Sequence, residues 1–526
     1  SSTTGIDSTP NESAISAGAA YVFARSGTTW TQQAYLKAHQ VTAGDNFGTS
    51  VAVSGDTVVV GAYFEDSSTT GINSTPNETA TSAGAAYVFV RSGTAWSQQA
   101  YLKAGNAGQE DRFGASVAVS GDTVVVGANL EDSSLTGINR TPNEAAPDSG
   151  AAYVFVRGGA DWSQQAYVKP TPIPPSGAGP AAFDQFGASV AVSGDTVVIG
   201  APLEDSSTTG VNSIPNESAE DAGAAYVFVR DGGGAWSQQA YLKAHQVTAE
   251  DYFGGSVSVS GDTAVIGAYS EDSFISGINS TPKKGSSGSA SGAAYVFVRN
   301  GTTWSQQAYL KAHQVTDGDA FGLYVAVDGD TVVVGAPYED SGTTGVNSTP
   351  DESVADAGAA YVFVRSGTIW SQQAYLKASN TGINDLFGRS VALSGDTLVV
   401  GAFQESSNAT GVNGNQADNS AGNAGAAYVF ALVEIAVSGN NVNIADGDNT
   451  PDLADHTDFG TATVGGSSVV RTFTIQNTST GTGYLTLGSI TVGGGHAADF
   501  SLTVPPSSPV APGGDTTFQA VSYTHL

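Results

Sequence analysis

Carboxylates recur along this chain at a spacing that could gather them on one binding surface. A Glu closes each valine-rich segment, followed by Asp in every copy but the last, and a further Asp stands two residues before each Phe-Gly. The set is Asp45, Glu65, Asp66, Asp111, Glu131, Asp132, Asp184, Glu204, Asp205, Asp251, Glu271, Asp272, Asp319, Glu339, Asp340, Asp385 and Glu405. Carboxylate oxygens bind Ca²⁺. They also accept backbone N–H groups in turns, so a structural interpretation competes with a cation-binding or ligand-binding one.

Two further groups have the residue types of metal sites. Asp446, Asp448 and Asp452 have calcium-like spacing in Ile-Ala-Asp-Gly-Asp-Asn-Thr-Pro-Asp, although such a loop is also an ordinary turn. Three histidines share the motif His-Gln-Val-Thr, which repetition of the sequence explains without a metal: His39, His245 and His313. No Ser/His/Asp set, isolated carboxylate pair or phosphate-binding loop stands apart from the repeats, so we predict that the chain is not an enzyme.

The elements that position these residues repeat every 66 to 73 residues. Each copy runs Phe-Gly-x-Ser-Val-Ala-Val-Ser-Gly-Asp-Thr-Val-Val-Val-Gly-Ala, an acidic Ser/Thr/Asn-rich loop, Gly-Ala-Ala-Tyr-Val-Phe-Val-Arg and Trp-Ser-Gln-Gln-Ala-Tyr-Leu-Lys-Ala. Such self-similarity indicates a ring or stack of similar modules. Tyr-Val-Phe begins at Tyr21, Tyr87, Tyr153, Tyr226, Tyr295, Tyr361 and Tyr428.

Each copy predicts four strands, A to D. In one copy, strand A is Ser50–Val53, strand B is Thr57–Ala62, strand C is Ala85–Arg91 and strand D is Trp96–Ala104. A tandem four-stranded meander is a propeller blade. The copies supply 25 strands: six A, six B, seven C and six D. We therefore expect an all-β, seven-bladed β-propeller with five complete four-stranded blades and two partial ones, in which the missing D, A and B strands reflect a lost N-terminus.

The tryptophans could stack on carbohydrate, but their spacing favours a structural role. Each begins strand D about five residues after an Arg, so that Arg25 would face Trp30 across the C–D hairpin in a cation–π contact. The Gln-Gln pair that follows is predicted to form a ladder on the strand surface rather than a ligand site.

Composition narrows the classes of partner. The 49 acidic and 18 basic residues give a net charge of −31, which disfavours nucleic acid. The chain has no cysteine and therefore neither disulfides nor thiolate metal sites. It shows no apolar run long enough to insert into a membrane and no signal peptide, which we expect to have been lost with the N-terminus.

Phe-Gly followed by Gly-Ala-Pro, intact at Gly200–Pro202 and Gly335–Pro337, resembles the FG-GAP repeat of integrin α-subunit propellers. The Val-Ser-Gly-Asp-Thr-Val-Val-Val-Gly-Ala core is closer still to bacterial FG-GAP repeat proteins. The resemblance covers residues 1–432 and implies an extracellular seven-bladed propeller used for binding or adhesion. One departure matters: the integrin-type calcium loop is reduced to Ser54-Gly55-Asp56, which cannot supply the roughly six to eight oxygens that Ca²⁺ requires. We expect no required cofactor.

Residues 433–526 lack the repeat and alternate in the manner of strands, for example at Val469–Gln476 and Tyr484–Val492. The segments Asp458-Phe-Gly, Thr472–Asn477, His496-Ala-Ala-Asp499-Phe and Val510–Gly514 resemble the immunoglobulin-like choice-of-anchor D domain of bacterial surface proteins. This resemblance implies an immunoglobulin-like β-sandwich, which we expect to be truncated. Val521–Leu526 looks like translated read-through and is given no structural role.

These observations predict a non-enzymatic binding or adhesion protein of the bacterial cell surface or exterior. The B–C and D–A loops lie at one end of the blades, and an extracellular protein or glycan would dock there. Two alternatives stay open. A structural surface-layer or matrix component would self-associate without a specific ligand, and an accessory domain of a secreted enzyme would show a residue set unique to one blade near the axis.

Overall fold

The computed structural model is an all-β protein. It describes residues 1–432 apart from 12, 28, 172–181 and 284–289. In the remainder it describes 435–444, 450–460, 468–477, 485, 487–488, 490–492, 497–511 and 513–522. Strands account for every element of these residues except one 3₁₀ turn, Ala497–Asp499.

The described part of the repeat region contains 25 strands in seven antiparallel sheets, which confirms the predicted strand inventory. Sheet 1 has β1 (Ala20–Ser26) and β2 (Thr29–Leu36); sheet 2 has β3 (Val51–Ser54), β4 (Thr57–Ala62), β5 (Ala85–Ser92) and β6 (Ala95–Leu102). Sheet 3 has β7 (Ser116–Ser120), β8 (Thr123–Ala128), β9 (Ala151–Gly158) and β10 (Asp161–Val168); sheet 4 has β11 (Ser189–Ser193), β12 (Thr196–Ala201), β13 (Ala224–Arg230) and β14 (Trp236–Leu242). Sheet 5 has β15 (Phe253–Ser260), β16 (Thr263–Ala268), β17 (Ala293–Asn300) and β18 (Thr303–Leu310); sheet 6 has β19 (Tyr324–Asp328), β20 (Thr331–Ala336), β21 (Ala359–Ser366) and β22 (Ile369–Leu376). Sheet 7 has β23 (Phe387–Ser394), β24 (Thr397–Ala402) and β25 (Ala426–Ala431).

The A–B hairpin shows why these sequences form meanders. Gly55, the first residue of its two-residue turn, has φ +56°, a conformation that glycine adopts without steric cost. The turn aligns Ser54 with Thr57 and places the valines of both strands in register. Strand B is buried along its whole length because it lies between strands A and C and is covered on both faces.

Successive sheets pack face to face. Val59, Ala86 and Val88 of sheet 2 share a buried cluster with Tyr153 and Phe155 of sheet 3, and corresponding clusters join the later sheets. Strand A of each complete sheet packs against strand A of the next, so the A strands form the inner layer. Repeated four-stranded antiparallel sheets in this order are consistent with a β-propeller.

The Phe-Gly motif closes the end of each blade where the loops gather. Phe113 is fully buried, with its ring 5.3 Å from that of Tyr153. Its backbone lies so close to Gly84, at φ +79°, that a Cβ there would be 2.1 Å from the Phe113 carbonyl oxygen. Glycine is therefore required at position 84 by both conformation and space.

Sheets 1 and 7 are neighbours. In sheets 3, 5 and 6 the arginine of strand C donates to the first threonine of strand B in the preceding sheet, as Arg157 does to Thr57 at 3.2 Å. Arg25 of sheet 1 makes the same bond to Thr397 of sheet 7, at 2.9 Å.

The described C-terminal residues form one five-stranded antiparallel sheet in the order β27-β26-β28-β30-β29. Its strands are β26 (Ile435–Gly439), β27 (Val442–Ile444), β28 (Val469–Asn477), β29 (Phe500–Val504) and β30 (Asp515–Ser522). β28 confirms the strand predicted from Val469. The predicted strand Tyr484–Val492 lies partly outside the described residues, and its described part has one isolated bridge, Leu485 to Val510.

β30 includes the first two residues of the segment that was given no structural role. Val521 is buried and pairs with Val470, and Ser522 pairs with Val469. Residues 523–526 lie outside the described residues. Among those that are described, no helical segment has the length and apolar character of a membrane span.

Candidate binding face

The glutamates of the predicted acidic surface lie inside the sheets. Glu65 is 2 % exposed and accepts from Lys103 Nζ at 2.8 Å and from Tyr101 Oη at 2.8 Å. Lys103 Nζ also donates to the Gly84 carbonyl at 2.6 Å. The other pairs are Glu131–Lys169, Glu204–Lys243, Glu271–Lys311 and Glu339–Lys377, at 2.7 to 3.1 Å. Burial lowers the pKa of Lys103, while the adjacent Glu65 opposes that shift. A ligand could reach these glutamates only if the ion pair opened.

The aspartates before Phe-Gly cap the D–A loops. Asp45 accepts from Thr42 N at 2.9 Å, and Asp111 accepts from Gly108 N at 2.7 Å. Asp251, Asp319 and Asp385 accept in the same way from Thr248, Thr316 and Gly382. All six aspartates of this kind, including Asp184, are 2 to 5 % exposed. Burial raises the pKa of Asp45 to about 6 and that of Asp111 to about 7.

In four of the five Glu-Asp pairs, the aspartate accepts a backbone N–H from the far end of the long B–C loop. Asp66 accepts from Ser82 N at 2.8 Å, sixteen residues further along the chain. The same bond joins Asp132 to Asp148 N, Asp205 to Asp221 N and Asp340 to Asp356 N. These aspartates, like Asp272, are half-buried. Glu405 is 3 % exposed and accepts from Asn380 Nδ2 at 2.8 Å.

These carboxylates therefore lie at the same end of the sheets, as predicted, but they are bonded to partners within their own repeats. No three His, Cys, Asp or Glu side chains of the described residues come together as a metal site. Asp446 and Asp448 lie outside those residues, and Asp452 accepts from Ala454 N at 2.9 Å. His39 packs edge-on against Tyr87 and Tyr101, with Nδ1 3.0 Å from Gln98 Nε2, and His245 and His313 have the same surroundings.

The tryptophans join sheets at the opposite end. Arg91 Cζ lies 5.7 Å from the Trp96 ring, and the other five pairs lie at 5.2 to 6.0 Å, which confirms the predicted cation–π contact. Trp96 Nε1 donates to Gln33 Oε1 of the preceding sheet at 2.8 Å. The bond repeats from Trp162 to Gln99, Trp236 to Gln165, Trp304 to Gln239 and Trp370 to Gln307. This role of the second glutamine was not predicted from the sequence because its partner lies in another repeat.

A cluster of residues at positions that vary among the copies lies at the loop end beside the inner strands; of its members, Tyr269 has a tyrosine counterpart, Tyr63. This aromatic cluster consists of Tyr252, Tyr269, Tyr324, Tyr338, Arg389 and Phe403, from sheets 5, 6 and 7. The rings of Tyr252 and Tyr269 stack at 5.1 Å and 3°. Arg389 Cζ lies 5.3 Å from the Tyr324 ring and 5.8 Å from the Phe403 ring, and Arg389 Nη1 donates to Tyr324 Oη.

The aromatic cluster is accessible and bordered by carboxylates. Tyr338 is 37 % exposed and Phe403 is 62 % exposed. Tyr252 Oη lies 3.5 Å from Asp221 Oδ2, and burial, followed by the nearby Tyr252 and Asp221, raises the pKa of Tyr269 to about 12. The signal in the sequence was substitution rather than repetition: Tyr324 stands where other copies have Ser50, Ser116, Ser189, Ser256 and Ser390.

Comparison with known proteins identifies the repeats. Six segments match the FG-GAP repeat family: residues 30–89, 96–155, 177–228, 236–297, 304–363 and 370–430. No protein with a curated description matches the chain. Among solved structures, one from Bacteroides uniformis, provisionally described as a 6-phosphogluconolactonase, matches with 11 % identity and a TM-score of 0.37. The match covers 72 % of this chain and 83 % of that one, and its TM-score is too low to support an argument about either fold or function.

Proposed function

This chain belongs to the FG-GAP repeat family, and we propose that its propeller is a non-enzymatic platform that binds a protein partner at the aromatic cluster. The observation that carries this proposal is the aromatic cluster at positions that differ among the copies: half-buried Tyr252 and Tyr269 stack, Arg389 lies over Tyr324, and Tyr338 and Phe403 are exposed. Loops and strand ends on a rigid scaffold are where such folds bind.

The residue types favour a protein ligand. Tyrosine and arginine are enriched among the residues that carry most of the binding energy at protein interfaces. Asp221 borders Tyr252, and the chain as a whole has a net charge of −31. Because complementary charge speeds and orients association, the partner's contact surface is expected to be basic. The half-buried aspartates of the B–C loops would form the polar rim of this interface.

The architecture around this site is part of the proposal. We infer that the repeats occupy seven blade positions, because the Arg25–Thr397 bond makes sheet 7 the neighbour of sheet 1. The resemblance of residues 433–526 to a choice-of-anchor D domain supports an immunoglobulin-like spacer, although the described strands there form a single sheet. Together with the integrin-like repeats, that resemblance supports a place on the bacterial cell surface or outside the cell.

Selection from a displayed random-peptide library against the immobilised protein tests the function. We expect enriched peptides to be basic and to lose binding to a Tyr252→Ala, Tyr338→Ala variant. The matched control is Ile369→Ala, since Ile369 is 74 % exposed in the C–D hairpin at the other end of its sheet. Enriched peptides that bind the double variant as well as the wild type would refute the site. Binding to a glycan array that the double variant loses would change the ligand class from protein to glycan.

A further inference from the structure

One of the buried ion pairs has a side-chain amide as a third member. Glu131 Oε2 accepts from Lys169 Nζ at 3.1 Å, as the corresponding glutamate does in the other complete sheets. Its other oxygen, Oε1, accepts from Asn106 Nδ2 at 3.0 Å. Glu131 and Lys169 are at most 1 % exposed, while Asn106 is half-buried in the loop that follows β6. A single carboxylate therefore lies between an amine and a carboxamide.

Other copies of the repeat fill this place differently. Asn106 stands where three copies have the glutamine of His-Gln-Val-Thr. In those copies the histidine packs against the tyrosine of strand C, as His39 does against Tyr87, with ring centroids 5.9 Å apart. The glutamine lies beside a loop carboxylate instead, as Gln40 Nε2 does at 3.3 Å from Glu78 Oε1. The contact of an amide with the paired glutamate is therefore not a requirement of the repeat.

The groups around Asn106 and Lys169 suit transfer of the amide carbonyl to the amine. Tyr153 Oη is buried and donates to Asn106 Oδ1 at 2.7 Å, where it stabilises negative charge that develops on the carbonyl oxygen. Burial lowers the pKa of Lys169, although the adjacent carboxylate opposes that shift. A desolvated lysine amine is a nucleophile. Lys169 Nζ also donates to the Gly150 carbonyl at 2.6 Å and to Ser149 Oγ at 2.7 Å, which can accept the two N–H groups of the neutral amine.

We propose that this site forms an isopeptide bond between the side chains of Lys169 and Asn106. Glu131 takes a proton from the ammonium, and Nζ attacks Cγ of Asn106 as the amide, in its half-buried loop, turns towards it from Oε1. The Nζ–Cγ bond forms and the Cγ–Nδ2 bond breaks. Two protons pass from Nζ through Glu131 to the leaving nitrogen, which departs as ammonium. The step needs neither an oxidant nor a cofactor.

The bond ties two sheets together. Asn106 follows β6, the last strand of sheet 2, and Lys169 follows β10, the last strand of sheet 3. A covalent link between them restricts the unfolded chain as a disulfide does, in a protein that has no cysteine. Its formation is independent of ligand binding at the aromatic cluster.

The intact mass and a peptide map of the purified full chain test the proposal. The protein should be lighter than its sequence by one ammonia, and a digest should contain a branched peptide that joins Asn106 to Lys169. Asn106→Ala retains the ion pair with Glu131 and should have the full mass of its sequence. The matched control is Asn380→Ala, which removes an amide bonded in the same way to Glu405 and should still have lost one ammonia.

A second pair of variants separates the chemistry from folding. Glu131→Gln should lack the branched peptide, whereas Glu65→Gln breaks the same ion pair in sheet 2 and should retain it. A wild-type mass equal to that of the sequence would overturn the proposal. Loss of ammonia without the branched peptide would also overturn it, because a cyclic imide formed at an asparagine has the same mass. A branched peptide that persists in Glu131→Gln would refute proton transfer through the carboxylate.

Discussion

The same substitution at two equivalent lysines is expected to have very different effects. Lys103→Met removes the partner of Glu65, which is 2 % exposed. The glutamate keeps its bonds from Tyr101 and Ser67 but becomes a buried charge without a counter-ion. Removing one member of a buried pair typically costs about 3 to 5 kcal/mol. Methionine fills much of the volume of the lysine stem, so packing adds little to that loss.

Lys37→Met removes a buried ammonium that forms no ion pair with a carboxylate of the described residues, although the charge of Asp45 partly offsets the effect of burial on its pKa. The change relieves the desolvation that lowers the pKa of Lys37 and leaves the Gly18 carbonyl without its donor. An unsatisfied buried group costs about 1 to 3 kcal/mol, and the relieved burial of charge offsets that cost. We therefore expect a change in unfolding free energy close to zero.

Urea unfolding, followed by tryptophan fluorescence and by circular dichroism, measures the difference. Coincidence of the two transitions is required before free energies are compared, since a ring of repeats can unfold in stages. Glu65→Gln with Lys103→Met should recover much of the loss, because it removes both charges. Equal destabilisation by Lys37→Met and Lys103→Met would refute the reasoning, since the ion pair would then not be what distinguishes the two sites.

Three further outcomes follow from the geometry. Burial raises the pKa of Asp111 to about 7, so its contribution to stability is present below pH 4 and is lost as pH rises through 7. The Asp111→Asn variant should therefore be more stable than the wild type at pH 8, by at most about 4 kcal/mol, but not at pH 4. Thermal unfolding of both proteins across this pH range measures the difference. Gln165→Ala should cost about 1 to 2 kcal/mol in urea unfolding because Trp236 Nε1 loses its acceptor, whereas the exposed Gln164→Ala should change stability by less than about 0.5 kcal/mol. Gly84→Ala should prevent stable folding, because the added Cβ would overlap the backbone of Phe113. Gly55→Asn should be tolerated, since a Cβ at Gly55 meets no atom within 4 Å. Soluble yield and circular dichroism distinguish the two outcomes.

The strands were predictable because their signals are local. Valine-rich runs and a Gly-Asp turn specify the A–B hairpin, and the strand bounds in sheet 2 differ from the prediction by at most two residues. The long-range partners were not predictable in the same way. Glu65 stands in a loop rich in Ser and Thr, where an acidic residue is ordinarily exposed, and its lysine lies 38 residues away. The fixed recurrence of both residues in every complete copy was the available signal.

The aromatic cluster was missed for the opposite reason. Repetition draws attention to the residues that the copies share, whereas Tyr252, Tyr324 and Arg389 stand where the copies differ. No local pattern brings these residues together, because they lie in three sheets and meet only through the packing of neighbouring inner strands.

Residues that the copies share and residues that differ among them therefore have separate roles in these repeated sheets. Shared residues pair with one another: Glu with Lys and Arg with Asp within each complete sheet, and Trp with Gln of the preceding sheet. A side chain whose hydrogen bonds and charge are already paired within the sheets has few polar groups free to bind a ligand. Ligand recognition is then expected at positions where the copies differ. At the aromatic cluster the unshared side chains offer rings and a guanidinium to a partner of unlike sequence.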